Sequence, residues 1–344
     1  MNAKQPAVAV IVLTMNSARH VDECLDSLGR STYPNLAIWV VDNGSTDRTR
    51  ELIQPFLPRV RLLPLEKNVG FAAGNNRGME AALAAGADFV LLLNDDTRID
   101  PDCIAALMEA FASDPDRIGM VSPVIAAYDQ PARTYVGGRI DPATWGAAEI
   151  ERPAAGLPPC VDVEYASGCA LLVPAAVIRK IGMLDEQLFM YFEDADWCLR
   201  CRKSGKRVVV ATRGRVLHKG SGGGAAAKSP NAYYYYQRNW VRMVRKYAPR
   251  RQGARLIRGF PFGLLRLPPP APGNPPPDPD IGIALLEGWL AGVLGLKNQT
   301  RLRFPAFVKS LLRRMARKTA AGSAPPRPKT PGKKQDGTRK TWET

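Results

Sequence analysis

The sequence is poor in the residues that build structural metal sites and disulfide frameworks. Its 344 residues include six cysteines and two histidines. Only Cys198 and Cys201 form a CxxC pair, and no second pair matches it, so the sequence does not support a four-ligand zinc site. We therefore expect reduced, buried thiols in a cytoplasmic protein rather than zinc or redox chemistry.

The sequence also lacks an apolar run long enough for a membrane-spanning helix. The nearest approach, residues 281–296, is sixteen residues long and contains Glu287, whereas a spanning helix needs about 20 residues. The apolar start, residues 7–13, turns polar at Asn16 and has no small-residue cleavage site, which predicts a buried strand. We expect no transmembrane helix.

Acidic residues are too few to balance the basic ones, and the imbalance is local. Lys and Arg number 48 against 32 Asp and Glu, for a net charge of +16. Residues 297–344 hold fourteen of the basic residues and two acidic ones, which leaves the first 296 residues at only +4. A nucleic-acid-binding domain usually carries its charge on a folded face. A basic excess confined to the C-terminal residues is therefore weak evidence for a nucleic-acid partner, and we expect none.

Two periodicities alternate over the first hundred residues. The continuous β-branched run at residues 8–13 predicts a strand buried on both faces. Apolar positions at Val21, Cys24, Leu25 and Leu28 predict one face of a helix. The repeated alternation, with short links, predicts an α/β fold with a mostly parallel sheet flanked by helices.

The composition changes after residue 249. We predict an α/β domain over residues 1–249, a proline-rich linker with amphipathic helices over residues 250–318, and a basic disordered tail over residues 319–344. Residues 128–160, which are rich in Gly, Pro and Ala, are expected to form an irregular connection.

Polar clusters follow three of the predicted strands, at residues 14–16, 42–47 and 94–96. Because ligands of such sheets bind beyond the carboxyl ends of the strands, we expect one shared site. In the third cluster, Asp95 and Asp96 would repel each other unless a cation lay nearby. The cluster suits a Mg²⁺ or Mn²⁺ site for a diphosphate and, equally, a solvated turn in which Asp96 caps the next segment, so both interpretations stay open.

Asp42 directly follows a predicted strand. Its carboxylate suits a nucleobase or ribose, but an Asp-Asn-Gly-Ser sequence is also an ordinary turn.

Gly70, Gly74 and Gly78 recur every fourth residue. Each glycine costs a helix about 0.5–1 kcal/mol relative to alanine, so we expect a sheet or a ligand to approach closely there. The spacing is not GxGxxG, and Asn75 is a candidate for hydrogen bonding to the ligand.

Three carboxylates occur within four residues, at Glu193, Asp194 and Asp196, after the large apolar residues 189–192. Apolar surroundings raise the pKa of a carboxyl group and can poise it as a general base. Acidic residues also cap helix N-termini, which is the structural alternative.

His218 ends a predicted strand and precedes Lys219 and a glycine-rich loop at residues 220–224. This position suits a metal or phosphate contact, and a structural histidine is the alternative. The following helix, residues 233–247, interleaves tyrosines with basic residues that include Arg238. It could contact nucleic acid, a diphosphate or a membrane surface.

Six blocks in this order resemble the family 2 glycosyltransferases of the GT-A fold, and within them the bacterial rhamnosyltransferase-like group. The matching blocks are residues 11–16, 41–47, 68–76, 93–97, 192–196 and 218–221. The resemblance implies a Rossmann-like sheet followed by a C-terminal helical extension.

The resemblance also implies a role for each matching residue. Asp194 corresponds to the general base, and Asp96 and His218 correspond to ligands of Mg²⁺ or Mn²⁺ in a DXD-type site whose first position is Asn94. The residues expected to bind the substrates are Thr14, Asn16, Asp42, Asn43, Gly70, Asn75, Asn94, Asp95, Glu193, Lys219 and Arg238.

The activity that the resemblance implies is inverting transfer of a sugar, with dTDP-L-rhamnose as the expected donor. The expected acceptor is a saccharide or a lipid-linked saccharide of the bacterial envelope. Residues 281–344 would attach the protein peripherally to the anionic inner face of the cell membrane. The alternatives are a sugar-nucleotide nucleotidyltransferase, disfavoured because residues 8–16 contain no glycine, and a non-catalytic nucleic-acid-binding or membrane scaffold protein.

Overall fold

The computed structural model describes residues 5–220, 229–264, 279–296 and 302–322. The strands within these residues are β1 (Val8–Thr14), β2 (Leu36–Asp42), β3 (Val60–Pro64), β4 (Phe89–Asn94), β5 (Thr97–Ile99), β6 (Ile118–Ala127), β7 (Thr134–Ile140), β8 (Ala147–Glu151), β9 (Cys160–Asp162), β10 (Ala170–Pro174) and β11 (Arg207–His218). The helices are α1 (Val21–Gly29), α2 (Thr49–Ile53), α3 (Phe71–Ala84), α4 (Cys103–Ala112), α5 (Ala175–Ile181), α6 (Glu193–Lys203), α7 (Pro230–Tyr247), α8 (Arg250–Leu264), α9 (Pro279–Val293) and α10 (Ala306–Gly322).

One sheet runs through the molecule in the order β3-β2-β1-β4-β10-β6-β11-β5. Its first four strands are parallel, while β10 is antiparallel to both of its neighbours. Alternate residues of β1 face opposite sides, so Val8, Val10 and Val12 enter one hydrophobic cluster while Ala9 and Ile11 enter the other. The α/β class and the flanking helices are as predicted, and the second half of the sheet is mixed.

Residues 128–160 differ from the expected irregular connection, because β7 and β8 form an antiparallel hairpin there. The glycines that suggested a loop serve the strand instead. The backbone N–H of Gly138 donates to the carbonyl of Tyr165 at 2.8 Å, and a Cβ at Gly138 would overlap the Tyr165 ring. Glycine inside a strand commonly marks such a close approach.

The apolar residues near 281–296 form α9, which packs along α7. A Cβ at Gly288 or Gly292 would collide with α7 backbone, so these two glycines permit the contact. Two arginines of α7 reach the end of α9: Arg245 donates to the carbonyls of Gly292 and Val293, and Arg242 donates to that of Leu296. Cations at a helix C-terminus stabilise the helix dipole, so α9 is an integral packing partner of α7.

No helix in the described ranges is long and apolar enough to cross a membrane. Three predicted features lie partly or wholly outside the described residues. They are most of the proline-rich linker, the glycine-rich loop beyond residue 220, and the basic tail beyond residue 322.

Helix α7 also holds the chain segment that leads into α6. In this segment Phe189, Tyr191 and Phe192 all have positive φ angles, which non-glycine residues rarely adopt. The buried amide of Asn239 on α7 donates to the carbonyls of Leu188, Met190 and Tyr191, at 2.5, 2.8 and 2.9 Å. Because backbone strain persists only where surrounding contacts impose it, we infer that this clamp maintains the segment.

Replacing Asn239 by Leu should lower the free energy of unfolding by about 2 kcal/mol or more, because one buried carbonyl and two partly buried ones lose their donor. The matched control is Gln237→Leu on the same helix. Gln237 is also buried, but its Nε2 has no hydrogen-bond partner within the described residues, so this change should cost less than about 1 kcal/mol. Denaturant unfolding of both variants measures the difference, and equal losses would contradict the clamp.

Candidate active site

The ends of three neighbouring strands bring the first polar clusters together. In the register of the sheet, Thr14 of β1 lies opposite Asp42 of β2, and Leu13 lies opposite Asn94 of β4. The three clusters therefore meet at one edge, as the alternation of strands and helices predicted.

Thr14 and Asp42 are fully buried at this edge. Asp42 accepts a hydrogen bond from the backbone N–H of Ser45 at 3.1 Å and forms an ion pair with Arg50. The Thr14 hydroxyl has no hydrogen-bond partner among the described residues. Buried hydroxyls are normally paired, so the Thr14 oxygen is an exception within the described residues.

The amides beside this pair order the surrounding loops. Asn43 donates to Asn68 at 3.1 Å and accepts from the N–H of Val69 at 2.9 Å. Asn16 has a φ of +53° and accepts from the N–H of Thr46 at 2.9 Å, so it ties the first loop to the second.

The glycines at positions 70, 74 and 78 allow close packing around α3. A Cβ at Gly74 would overlap Leu13, and one at Gly78 would overlap Ile11, so these positions seat α3 on β1. Gly70 has a φ of +96° and packs against the Phe189 ring. Asn75, expected to reach the ligand, is instead buried and donates to the carbonyl of Phe71 at 3.0 Å.

The carboxylates at the end of β4 have different surroundings. Burial, with a smaller contribution from the charge of Asp96, raises the pKa of Asp95 to about 6, although the Ser17 hydroxyl donates to it. Burial alone would also raise the pKa of Asp96. The hydrogen bond and charge of His218, together with the Gly220 N–H, outweigh burial and lower this pKa below its ordinary value. At neutral pH, Asp96 is therefore the carboxylate that stays fully ionised.

Asp96 and His218 lie side by side and are joined by a hydrogen bond, so a divalent cation held by both would have to replace the proton between them. Because β11 pairs with β5, His218 stands opposite Thr97, and its Nε2 lies 3.1 Å from Asp96 Oδ1. Adjacent ligands of an octahedral Mg²⁺, each about 2.1 Å from the ion, lie about 3 Å apart. The Asn94 amide is 3.4 Å from the same imidazole nitrogen. The described residues include no cluster of three His, Cys, Asp or Glu side chains around one point, so other ligands would have to come from substrate and water.

Asp194 lies in the first turn of α6, whose three acids at the N-terminus and three bases at the C-terminus suit the helix dipole. The partly buried carboxylate accepts from the N–H of Gly168 at 3.0 Å and from that of Ala195 at 2.7 Å. Burial raises its pKa despite these hydrogen bonds. The pKa of its neighbour Glu193 is raised further by burial and by the Asp194 charge, and Glu193 Oε2 has no partner in the described part of the chain.

Three side chains of the predicted clusters have structural partners. Arg238, expected to bind a diphosphate, is fully buried here and donates to the carbonyls of Gln187 and Leu188 at 3.0 and 3.1 Å. Asp196 is buried between Arg200 and Lys246 and joins α6 to α7. Lys219 forms an ion pair with Glu23 at 2.6 Å, so a diphosphate would have to compete with that carboxylate.

Sequence reasoning missed the groups that orient these side chains. They are Arg50 beside Asp42, Ser17 beside Asp95, and the backbone N–H of Gly168 beside Asp194. The sequence carried no sign of the Gly168 contact, because any residue supplies a backbone N–H. Asn239, which holds the segment before α6, did carry a sign in the sequence, since a short polar amide inside an aromatic helix favours caps and turns unless tertiary contacts hold it.

Comparison with known proteins places the chain in a family. The model described as Glycosyl transferase family 2 matches residues 9–154. An N-acetylglucosaminyl-diphospho-decaprenol L-rhamnosyltransferase of Mycobacterium tuberculosis is 31% identical over 241 residues, which cover 61% of this chain and 75% of the relative. The dTDP-rhamnosyl transferase RfbF of Shigella flexneri is 28% identical, over 62% of this chain and 72% of the relative.

Solved structures share the fold at low sequence identity. GalNAc-T7 with UDP, GalNAc and Mn²⁺ has a TM-score of 0.58 and 14% identity, over 77% of this chain and 52% of that protein. The mannosyltransferase PcManGT of Pyrobaculum calidifontis, with GDP-Man and Mn²⁺, has a TM-score of 0.52 and 17% identity, and the match covers 92% of this chain and 83% of that protein. These neighbours establish a GT-A fold. The mycobacterial relative is matched over three quarters of its length, and the family model agrees with it. This chain is therefore a glycosyltransferase belonging to family 2, with rhamnosyltransferases among its relatives.

Proposed function

We propose that this enzyme transfers rhamnose, with inversion, from a nucleoside-diphosphate sugar to a lipid-linked saccharide in the synthesis of a bacterial envelope polysaccharide. Two relatives support this choice. The Shigella flexneri relative is named a dTDP-rhamnosyl transferase, and the mycobacterial relative is named for rhamnosyl transfer to an N-acetylglucosaminyl-diphospho-decaprenol. The observation on which the proposal rests is the meeting of Thr14, Asp42 and Asn94 at one sheet edge.

The nucleotide would bind at the first of these strand ends. Thr14 and Asp42 would hold the base and ribose, with Asn16 and Asn43 shaping the loops around them. The unpaired Thr14 hydroxyl supports this assignment, because a ligand that pairs with it removes the cost of leaving a buried hydroxyl unsatisfied. Asn94 and Asp95 would lie nearer the diphosphate.

Asp96 and His218 would hold the divalent cation, since their side-chain atoms fit adjacent ligand positions. A bound Mg²⁺ or Mn²⁺ supplies Lewis-acid charge neutralisation to the departing diphosphate. Lys219 follows His218 and would contribute its charge to the diphosphate only by leaving its ion pair with Glu23.

Asp194 would act as the general base that takes the proton from the acceptor hydroxyl as it attacks the anomeric carbon. Its two backbone hydrogen bonds fix the carboxylate, and burial makes it a better proton acceptor by raising its pKa. A single displacement from the face opposite the diphosphate gives inversion and needs no covalent sugar–enzyme intermediate. Glu193, with one unpaired carboxyl oxygen, would bind a substrate hydroxyl.

We also propose a cytoplasmic protein that is peripheral at the inner face of the membrane, with no nucleic-acid partner. The expected attachment through residues 281–344 needs revision for α9. Ile283, Ala284 and Ala291 of that helix are buried against the rest of the protein, so they are not available to lipid. The basic residues beyond 322 lie outside the described part of the chain and remain a candidate attachment.

Screening the purified protein against a panel of nucleotide sugars, with a polyprenyl-diphosphate saccharide as acceptor, tests the donor. We expect released diphosphate with dTDP-L-rhamnose at a rate well above that with UDP- or GDP-linked sugars. Turnover confined to another nucleotide sugar would contradict the rhamnose assignment while leaving the glycosyltransferase assignment intact.

Asp194→Asn should lower kcat by about 100- to 10,000-fold, because general-base catalysis contributes that much. Nucleotide affinity, measured by calorimetry, should change less than about twofold, since Asp194 is assigned to the acceptor. A base works in its ionised form, so activity of the wild type should fall as the pH drops through the raised pKa, above the ordinary aspartate value of about 3.9. A variant with most of its turnover would remove Asp194 from the mechanism.

EDTA should abolish transfer, and Mg²⁺ or Mn²⁺ in excess of the chelator should restore it. His218→Gln should raise the metal concentration needed for half-maximal activity by about tenfold or more, since even partners outside the ligand set are worth that much. Restoration by metal controls for damage by the chelator. Full activity in EDTA, without added metal, would exclude a metal requirement.

A further inference from the structure

Helix α8 has one face inside the protein and an opposite face of arginines. Leu256, Ile257 and Phe260 pack against the hydrophobic core, and the Trp289 indole donates to the carbonyl of Ile257 at 2.8 Å. The four exposed arginines of the helix are Arg250, Arg251, Arg255 and Arg258. At 100° per residue, Arg251, Arg255 and Arg258 fall within about 60° of one another and opposite the packed side. The protein therefore holds this arginine face in a fixed outward orientation.

These arginines differ from the other basic residues around them. In α7, Arg238, Arg242 and Arg245 donate to backbone carbonyls, and Lys246 pairs with Asp196. By contrast, within the described residues the arginine face of α8 has neither an ion pair nor a hydrogen-bonded partner. Its charge is thus uncompensated by the part of the chain that the structure describes.

The sequence concentrates positive charge around this helix. From residue 197 to residue 277 there are eighteen Lys and Arg and no Asp or Glu. Most of the described basic residues before α8 are taken up by carboxylates or carbonyls elsewhere in the fold, as with Arg207 between Asp114 and Asp162. The arginine face is where this excess reaches the surface as a cluster.

We propose that the arginine face of α8 docks the enzyme on an anionic membrane surface. Charge complementarity supports it, since guanidinium groups pair with phosphate through two hydrogen bonds and lipid headgroups present phosphates in a plane. Residues 250–259 contain no aromatic side chain on which nucleic-acid bases could stack, which disfavours a single-stranded nucleic acid. Two exposed apolar residues one turn apart on α10, Phe307 and Leu311, give the C-terminal region groups that can enter a headgroup layer.

This inference rests on the proposed function only for its purpose, which is to bring the enzyme to a lipid-linked acceptor. The contact itself depends on the charge of α8. Binding should therefore weaken as the salt concentration rises, since ions screen exposed charges over about 10 Å at 0.1 M.

Flotation of the full-length protein with vesicles tests the proposal. The wild type should bind vesicles of phosphatidylcholine with phosphatidylglycerol and should not bind pure phosphatidylcholine. Each arginine near an anionic surface strengthens binding by about fivefold, so the triple variant Arg251→Gln, Arg255→Gln, Arg258→Gln should need about 100-fold more anionic lipid for half-maximal binding. The matched control changes three exposed arginines outside α8 to glutamine, at Arg30, Arg59 and Arg179, and should bind nearly as the wild type.

Each outcome has a distinct meaning. Equal losses in the triple and control variants would reduce the effect to net charge and overturn the assignment to α8, as would a wild type that ignores anionic vesicles. Tighter binding to a single-stranded oligonucleotide than to vesicles, lost in the triple variant, would replace the membrane by nucleic acid. Turnover with a water-soluble acceptor should be unchanged in the triple variant. Absence of that turnover in the wild type would reject the proposed function without affecting the vesicle result.

Discussion

The pairing of β1 between β2 and β4 is the constraint on which the candidate active site depends. The parallel register sets Thr14 opposite Asp42 and places the end of β4 alongside them. A shift of one residue would turn every side chain of β1 to the opposite face of the sheet and separate Ile11 from Gly78 of α3. The hydrophobic clusters on both faces therefore hold the polar strand ends together.

A second set of contacts governs the acidic segment before α6. Asn239 and Arg238 hold the backbone at residues 187–191, Asp196 ties α6 to α7, and α9 packs along α7. The C-terminal helix α9 is thus continuous in packing with the element that orders the chain before Asp194. A boundary drawn at residue 249 from composition does not reflect these contacts.

Positive charge has three different uses in this chain. In α7 it satisfies carbonyls and carboxylates, at Lys219 it pairs with Glu23, and on α8 it faces solvent. Net charge alone cannot distinguish these uses, because an arginine that caps a helix and one that faces water contribute equally to the total. Only the partners around each guanidinium separate structure from binding.

The sequence by itself determined the α/β class, the strand-end position of the polar clusters and the family resemblance. All three can be read from short stretches of the chain. The hydrophobic period gives the class, the turn residues mark the strand ends, and the order of the motifs gives the resemblance. Tertiary structure alone decided that Asn75 faces its own helix, that Arg238 binds backbone carbonyls, and that residues 134–151 form a hairpin. Those outcomes depend on groups distant in sequence, such as the Tyr165 ring beside Gly138, and on backbone atoms that every residue type possesses, so no local pattern could have revealed them.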